Sequence, residues 1–161
     1  RPDRRGIQSR HGETTMTDFT VVVDTREQLP YIFGPGVETV EKTLETGDYS
    51  VEGYEDVFAV ERKSLPDLLK SITWDRDRFK REVVRGDDLV GFVVVIESSL
   101  RSVNNWEYER EVHPNSVTGT VNNWEKYHNV DFEWAGDRAG AEAETLRTLE
   151  RWYNSYRALY D

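Results

Sequence analysis

The chain has 161 residues, no cysteine and a formal net charge of −10. That length suits one domain with a full core, and the lack of cysteine excludes disulfides, thiolate catalysis and cysteine-based zinc sites. No apolar run is long enough to span a bilayer and no signal-peptide pattern occurs, so a soluble protein of the cytoplasm is expected, or of a host's cytoplasm if a mobile element encodes it.

The acidic balance argues against non-specific binding to a polyanion, which depends on clustered Lys and Arg. Yet the basic residues are five lysines against sixteen arginines. A lysine-poor, acid-rich surface equally fits adaptation to a salt-rich, halophile-like cytoplasm, which concerns solubility and not fold.

Residues 1–18 are polar, Arg-rich and without periodicity, and read as a disordered leader in which Met16 offers a natural start. The domain is expected over 19–161. Phe19–Asp24 is a β-branched run and the first strand. Leu29-Pro30 and Phe33–Gly36 mark a loop, and Val37–Leu44 holds a short strand. Asp48–Val51 and Asp56–Arg62 flank Glu52–Glu55 and read as a hairpin.

Ser64 is placed to cap a helix with Pro66 and Asp67 in its first turn and Leu65, Leu68, Leu69 and Ile72 on one face. A second helix covers Asp75–Arg85 with Phe79 and Val83 inward. Val90–Glu97 is a near-continuous apolar run, the mark of a central strand covered on both faces. Residues 98–112 carry no clear pattern. Asn115 or Ser116 then caps a helix bearing Val117, Val121, Trp124 and His128, Val130–Trp134 is a strand, and Asp137 caps a last helix with Leu146, Leu149, Tyr153, Tyr156 and Tyr160 in line. The sum is a three-layer α/β domain with a mixed sheet. The aromatics of the last helix are expected in the core, with a homodimer contact as the alternative.

The chemistry concentrates on the hairpin. Glu61 and Lys63, two apart on a strand, project together while Arg62 points away, and Asp48 reaches the same spot from the neighbouring strand. Buried charges at strand ends cost desolvation energy unless paired or metal-bound. Asp48 and Glu61 are hard oxygen ligands suited to Mg²⁺ or Mn²⁺, and Lys63 can orient a water or stabilise a phosphorane oxyanion. An edge-strand ion pair between Glu61 and Lys63 explains the bare triad equally well.

The flanking residues narrow the choice. Val23-Asp24-Thr25-Arg26-Glu27, Gly47-Asp48-Tyr49 and Glu61-Arg62-Lys63-x-x-x-Asp67 occur together and in order. With this set the chain resembles the nuclease domain of the XPF family of structure-specific endonucleases, within the PD-(D/E)XK superfamily. The resemblance extends over about residues 19–158, through Arg78–Glu82 and Phe92–Glu97 to Gly119 and Asp137-Arg138.

It implies a restriction-endonuclease-like fold and a Mg²⁺- or Mn²⁺-dependent DNA endonuclease acting on branched, flap or junction DNA in repair, recombination or replication. The alternative is a non-catalytic DNA-binding or dimer-partner module of the same fold. Asp24, Asp48 and Glu61 would bind metal, Lys63 would be the catalytic lysine, and Arg26, Glu27, Arg62 and Asp67 would support them. From position alone, Asp67 is expected to pair with Arg62 or Lys63, Arg26 to contact a phosphate or hold Glu27, and Glu97 to be a further candidate at a strand end.

Lys70, Arg76, Arg78, Lys80 and Arg81, with Arg85, outnumber Asp75, Asp77 and Glu82. The first five are candidate DNA contacts, against the alternative of a solvated helix face with pairs such as Asp77–Arg81. No helix-hairpin-helix signature follows residue 100. DNA grip is therefore expected from this domain, from a partner bearing that module, or from a second copy. No membrane and no small-molecule cofactor is implied.

His11, His113 and His128 lack metal-ligand spacing, and Gly34-Pro35-Gly36 lacks the ending of a phosphate loop. Val103-Asn104-Asn105-Trp106-Glu107 recurs at Val121–Glu125, too short a repeat to imply an architecture.

Overall fold

The computed structural model describes residues 16–160; residues 1–15, most of the expected leader, lie outside them. The β-branched run after Phe19 becomes β1 (Thr20–Asp24), and β2 (Glu38–Lys42) lies parallel to it at the sheet edge. The expected hairpin forms from β3 (Tyr49–Val51) and β4 (Phe58–Lys63), antiparallel to each other, with β3 also antiparallel to β1. β5 (Gly91–Ile96) and β6 (Asp131–Trp134) continue the sheet in parallel, giving the order β2-β1-β3-β4-β5-β6.

Helix α1 (Leu65–Ile72) starts where its sequence signals placed it, with Ser64 Oγ accepting from the Asp67 N–H at 3.2 Å. Helix α2 (Arg76–Gly86) follows and returns the chain to β5. The patternless stretch after Ser98 contains a short helix, α3 (Leu100–Asn104). Helix α4 (Pro114–Tyr127) begins earlier than expected: its cap is His113, whose Nδ1 accepts from the Asn115 N–H at 3.0 Å. Pro114 fits the first turn because that position needs no N–H. Helix α5 (Arg138–Tyr160) is capped by Asp137, whose Oδ1 accepts from the Gly140 N–H at 2.7 Å. Among the described residues no helix is long and apolar enough to cross a membrane.

Strand alternation divides the core in two. Ala59, Phe92, Val94 and Ile96 pack with Leu68, Leu69, Phe79, Val83, Val121 and Trp124 beneath α1, α2 and α4. Val21, Val23, Tyr49, Val51, Val60, Val93 and Val95 pack on the other face with Tyr31 and the α5 residues Ala141 and Leu149. The result is the expected three-layer α/β arrangement with a mixed sheet. Trp152 and Tyr153 are half-buried on this second face, where Trp152 stacks on Phe58 and Tyr153 meets Phe19. Tyr160, a turn or two on, is exposed.

The close fit between α2 and β5 makes a first prediction. A Cβ on Gly86 would overlap the ring of Phe92, which is itself fully inside the core. Gly86→Ala is expected to cost about 1–3 kcal/mol by overpacking, read as a lower urea midpoint at unchanged slope. An unchanged midpoint would show that this contact gives way freely.

Candidate active site

Register brings three acids together. Val23 pairs with Tyr49, and Tyr49 with Val60. One step along, Asp24 of β1, Asp48 just before β3 and Glu61 of β4 fall in a row, all on the face toward α1 and α2. The ladder continues through that step, with the Asp24 N–H donating to the Asp48 carbonyl and the Asp48 N–H to the Val60 carbonyl, both at 2.8 Å. Gly47 makes this possible. Its φ is +82°, and a Cβ there would sit 2.9 Å from Ala59 Cβ and 3.0 Å from the Val60 oxygen. A side chain would push β3 off β4 just where Asp48 is positioned.

The row borders a cavity of about 510 Å³ whose walls include Asp24, Asp48, Glu61 and, from α2, Arg78, Arg81, Glu82 and Arg85. An adjoining cavity of about 220 Å³ is lined by Glu61, Lys63, Asp67, Lys70, Arg78 and Glu82, among others. Lys63 lies 3.8 Å from Glu61 Oε1, and its ammonium stands 4.7 Å over the Phe79 ring. Glu61 and Lys63 thus share a face, as their spacing predicts.

Several expected pairings differ. Arg26 holds Asp24, by Nε at 2.9 Å and Nη2 at 3.2 Å, and not Glu27; its Nη2 also donates to the Leu44 carbonyl at 2.6 Å. Asp67 forms no ion pair with Arg62 or Lys63 among the described residues, because Arg62 turns to the opposite face; Asp67 shares the smaller cavity with Lys63 and Lys70. Arg62 reaches Glu97 by Nη2 at 2.9 Å and by Nε at 3.1 Å, and Glu27 by Nη1 at 3.4 Å. Glu97 also accepts from the Tyr31 hydroxyl at 2.8 Å and lies 3.6 Å from Arg138. The backbone of Arg62 serves the front face, its N–H donating to Asp48 Oδ2 at 2.8 Å.

Of the candidate DNA contacts, Lys70, Arg78 and Arg81 border the two cavities. Arg76 does not: it donates to the Ile72 carbonyl and the Thr120 hydroxyl and lies over Trp124. Lys80 lies on the outer side of α2 with Asp77 and Val84. Glu82 escaped the sequence reading except as one acid in a basic segment. The signal was present: it precedes buried Val83 and follows buried Phe79 by three, which turns it toward the sheet.

Electrostatics separates the acids. Burial pushes the Asp24 carboxyl up, but the Arg26 hydrogen bond and the Leu44 N–H outweigh it and leave Asp24 below its usual value. Asp48 is pushed up to about 7, chiefly by burial, with the Arg62 N–H opposing and the Glu27 charge adding. Glu61 is raised well above its usual value by burial and by the facing Asp48 and Glu82 carboxylates, and Lys63 offsets this only partly. On the opposite face, burial lowers Arg62 while Glu97 and Glu27 raise it more, so its charge is secure.

Among the described residues no three acidic or histidine side chains are closed into a ligand set. The donors nevertheless suit a hard divalent cation. They are carboxylates in low dielectric, their mutual repulsion is only partly relieved by Arg26 and Lys63, and one buried oxygen, Glu82 Oε1, accepts from no N–H or hydroxyl group of the described residues.

Comparisons with known proteins bear on the family and the fold. A family model described as "ERCC4 domain" matches residues 23–145. Among solved structures, XPF from Aeropyrum pernix superposes with a TM-score of 0.64 at 20% identity, over 83% of this chain and 61% of that one. The same organism's XPF in complex with DNA superposes with a TM-score of 0.63 at 22% identity, over 85% and 66% respectively. The chain thus spans somewhat less than two thirds of the length of these structures. No curated protein sequence matches it significantly.

Proposed function

The chain belongs to the ERCC4 domain family, and from that membership we propose that it is a divalent-metal-dependent DNA endonuclease selective for branched, flap or junction DNA. The observation that carries the reading is the row Asp24–Asp48–Glu61 across three strands with Lys63 on the same face. A retired site has little physical reason to keep buried, mutually repelling carboxylates. The DNA-bound Aeropyrum pernix relative supports DNA as the substrate class.

Asp48 and Glu61 would hold Mg²⁺ or Mn²⁺, with Asp24 at the end of the row. When bound, the cation supplies Lewis acidity that neutralises phosphate charge and eases loss of a proton from water. The protein's own groups do the rest. Arg62 N–H and Gly47 fix the direction of the Asp48 carboxylate. Lys63, steadied by Glu61 and the Phe79 ring, presents its ammonium to the charge that develops on the phosphoryl oxygens. Arg78, Arg81 and Arg85 across the larger cavity bind flanking phosphates of the strand.

The test is cleavage of branched and linear DNA with Mg²⁺ or Mn²⁺, in dilute and in molar salt. Wild type is expected to cut, and Lys63→Ala to lose roughly 10²–10³-fold, the usual loss for one donor to a developing oxyanion. If no substrate is cut in any condition, the enzyme reading fails and a DNA-binding module of this fold remains. If Lys63→Ala cuts like wild type, the lysine assignment is wrong.

A further inference from the structure

Glu82 has no part in the chemistry above, yet it forms a wall of both cavities together with Glu61 and Arg78. Its helix holds it there: Phe79 and Val83 anchor that side of α2 in the core, whereas Lys80 on the outer side is exposed. Its Oε1 is buried and accepts no hydrogen bond from an N–H or hydroxyl group of the described residues. Buried polar atoms in folded proteins nearly always have a partner, and one without it costs free energy.

A plain ion pair is the first alternative. Arg85 Nη2 lies 3.9 Å from Oε2, too long for a hydrogen bond, and Arg85 is half-exposed. This contact leaves Oε1 untouched. Glu61 faces Glu82 from the sheet within hydrogen-bonding reach, so that the two carboxyls can share a proton when no cation lies between them, and Lys63 approaches Glu61 no closer than 3.8 Å. Two carboxyls from separate elements that meet across both cavities, with no N–H or hydroxyl donor at the inward Glu82 oxygen, match the donor side of a hard-cation site.

We propose that Glu82 is a further carboxylate ligand of the divalent cation, supplied by α2 opposite Asp48 and Glu61. This rests on the metal-dependent reading of the site. The cation then links helix to sheet, and its loading sets the side of α2 that carries Arg78 and Arg85 into the position from which phosphates are bound.

The experiment is Mn²⁺ titration without DNA, by calorimetry and by thermal melting, of wild type, Asp48→Asn and the isosteric Glu82→Gln. Circular dichroism checks that each is folded. Glu82→Gln is expected to weaken Mn²⁺ by at least roughly 10-fold, since even groups that only support a ligand have that effect, and to shrink the Mn²⁺-induced rise in melting temperature. Glu82→Asp, which keeps the charge, is expected to recover part of both. If Glu82→Gln binds Mn²⁺ like wild type while Asp48→Asn does not, Glu82 is no ligand although the metal site stands. If wild type itself binds no Mn²⁺, the metal-dependent reading falls and this inference with it.

Discussion

Asp48→Asn is expected to abolish DNA cleavage, by roughly 10³-fold or about 4 kcal/mol of transition-state stabilisation, while making the metal-free protein more stable at pH 8. The two effects have one cause. In the folded, metal-free chain the Asp48 carboxyl titrates near 7, against 3.8 for the free side chain, because burial disfavours its charge. Between pH 4 and 7 the folded state therefore holds a proton that the unfolded state has released. Stability contributed by the protonated form is complete below about pH 4 and is lost as pH rises through 7.

Asparagine does not titrate, and its amide oxygen can still accept the Arg62 N–H that Asp48 accepts at 2.8 Å. The variant should gain on the order of 2–4 kcal/mol over wild type at pH 8 and little at pH 4. Urea melts at the two pH values, with chelator present, are the measurement. A variant less stable than wild type at pH 8 would mean that Asp48 is a structural acceptor whose charge the fold needs.

Arg62→Met is expected to destabilise the fold by about 3–5 kcal/mol, the usual result of removing one partner from a buried charge network. Glu97 and Glu27 expose only 7% and 9% of their side chains, and both answer to this guanidinium, itself 15% exposed. Tyr31 still donates to Glu97, and Arg138 lies 3.6 Å away, so Glu27 loses more. Arg62→Met with Glu27→Gln should recover part of the loss, because it withdraws the charge left uncompensated. The Arg62 side chain lies behind the sheet from Lys63, and its backbone N–H to Asp48 survives the substitution. Cleavage per folded molecule should therefore fall much less than in Lys63→Ala. A stable Arg62→Met protein without activity would show instead that Arg62 acts on the DNA.

Local signals carried far in this chain. Ser64 and Asp137 cap their helices because a short polar side chain next to free N–H groups needs no distant partner. The period of two along β4 sends Glu61 and Lys63 to one face and Arg62 to the other whatever the rest of the chain does. Even so, identical local sequence reached two outcomes. Val103 and Val121 are both buried, but Trp124 is 2% exposed inside α4, whereas Trp106 follows the end of α3 in a left-handed turn and is 49% exposed. His113 caps α4 because its extended backbone brings Nδ1 within 3.0 Å of the Asn115 N–H, which ligand spacing could not indicate.

Composition, periodicity and an ordered set of charged motifs were thus sufficient for the mixed α/β fold, the hairpin and the common face of Glu61 and Lys63, since each follows from neighbours within a few residues. Three features required the folded chain: the row joining Asp24 to Asp48 and Glu61, the preference of Arg26 for Asp24, and the bare oxygen of Glu82 facing Glu61. They depend on strand register, on the Leu44 carbonyl that also binds Arg26, and on how α2 lies across the sheet, all of which are set by contacts between separate elements.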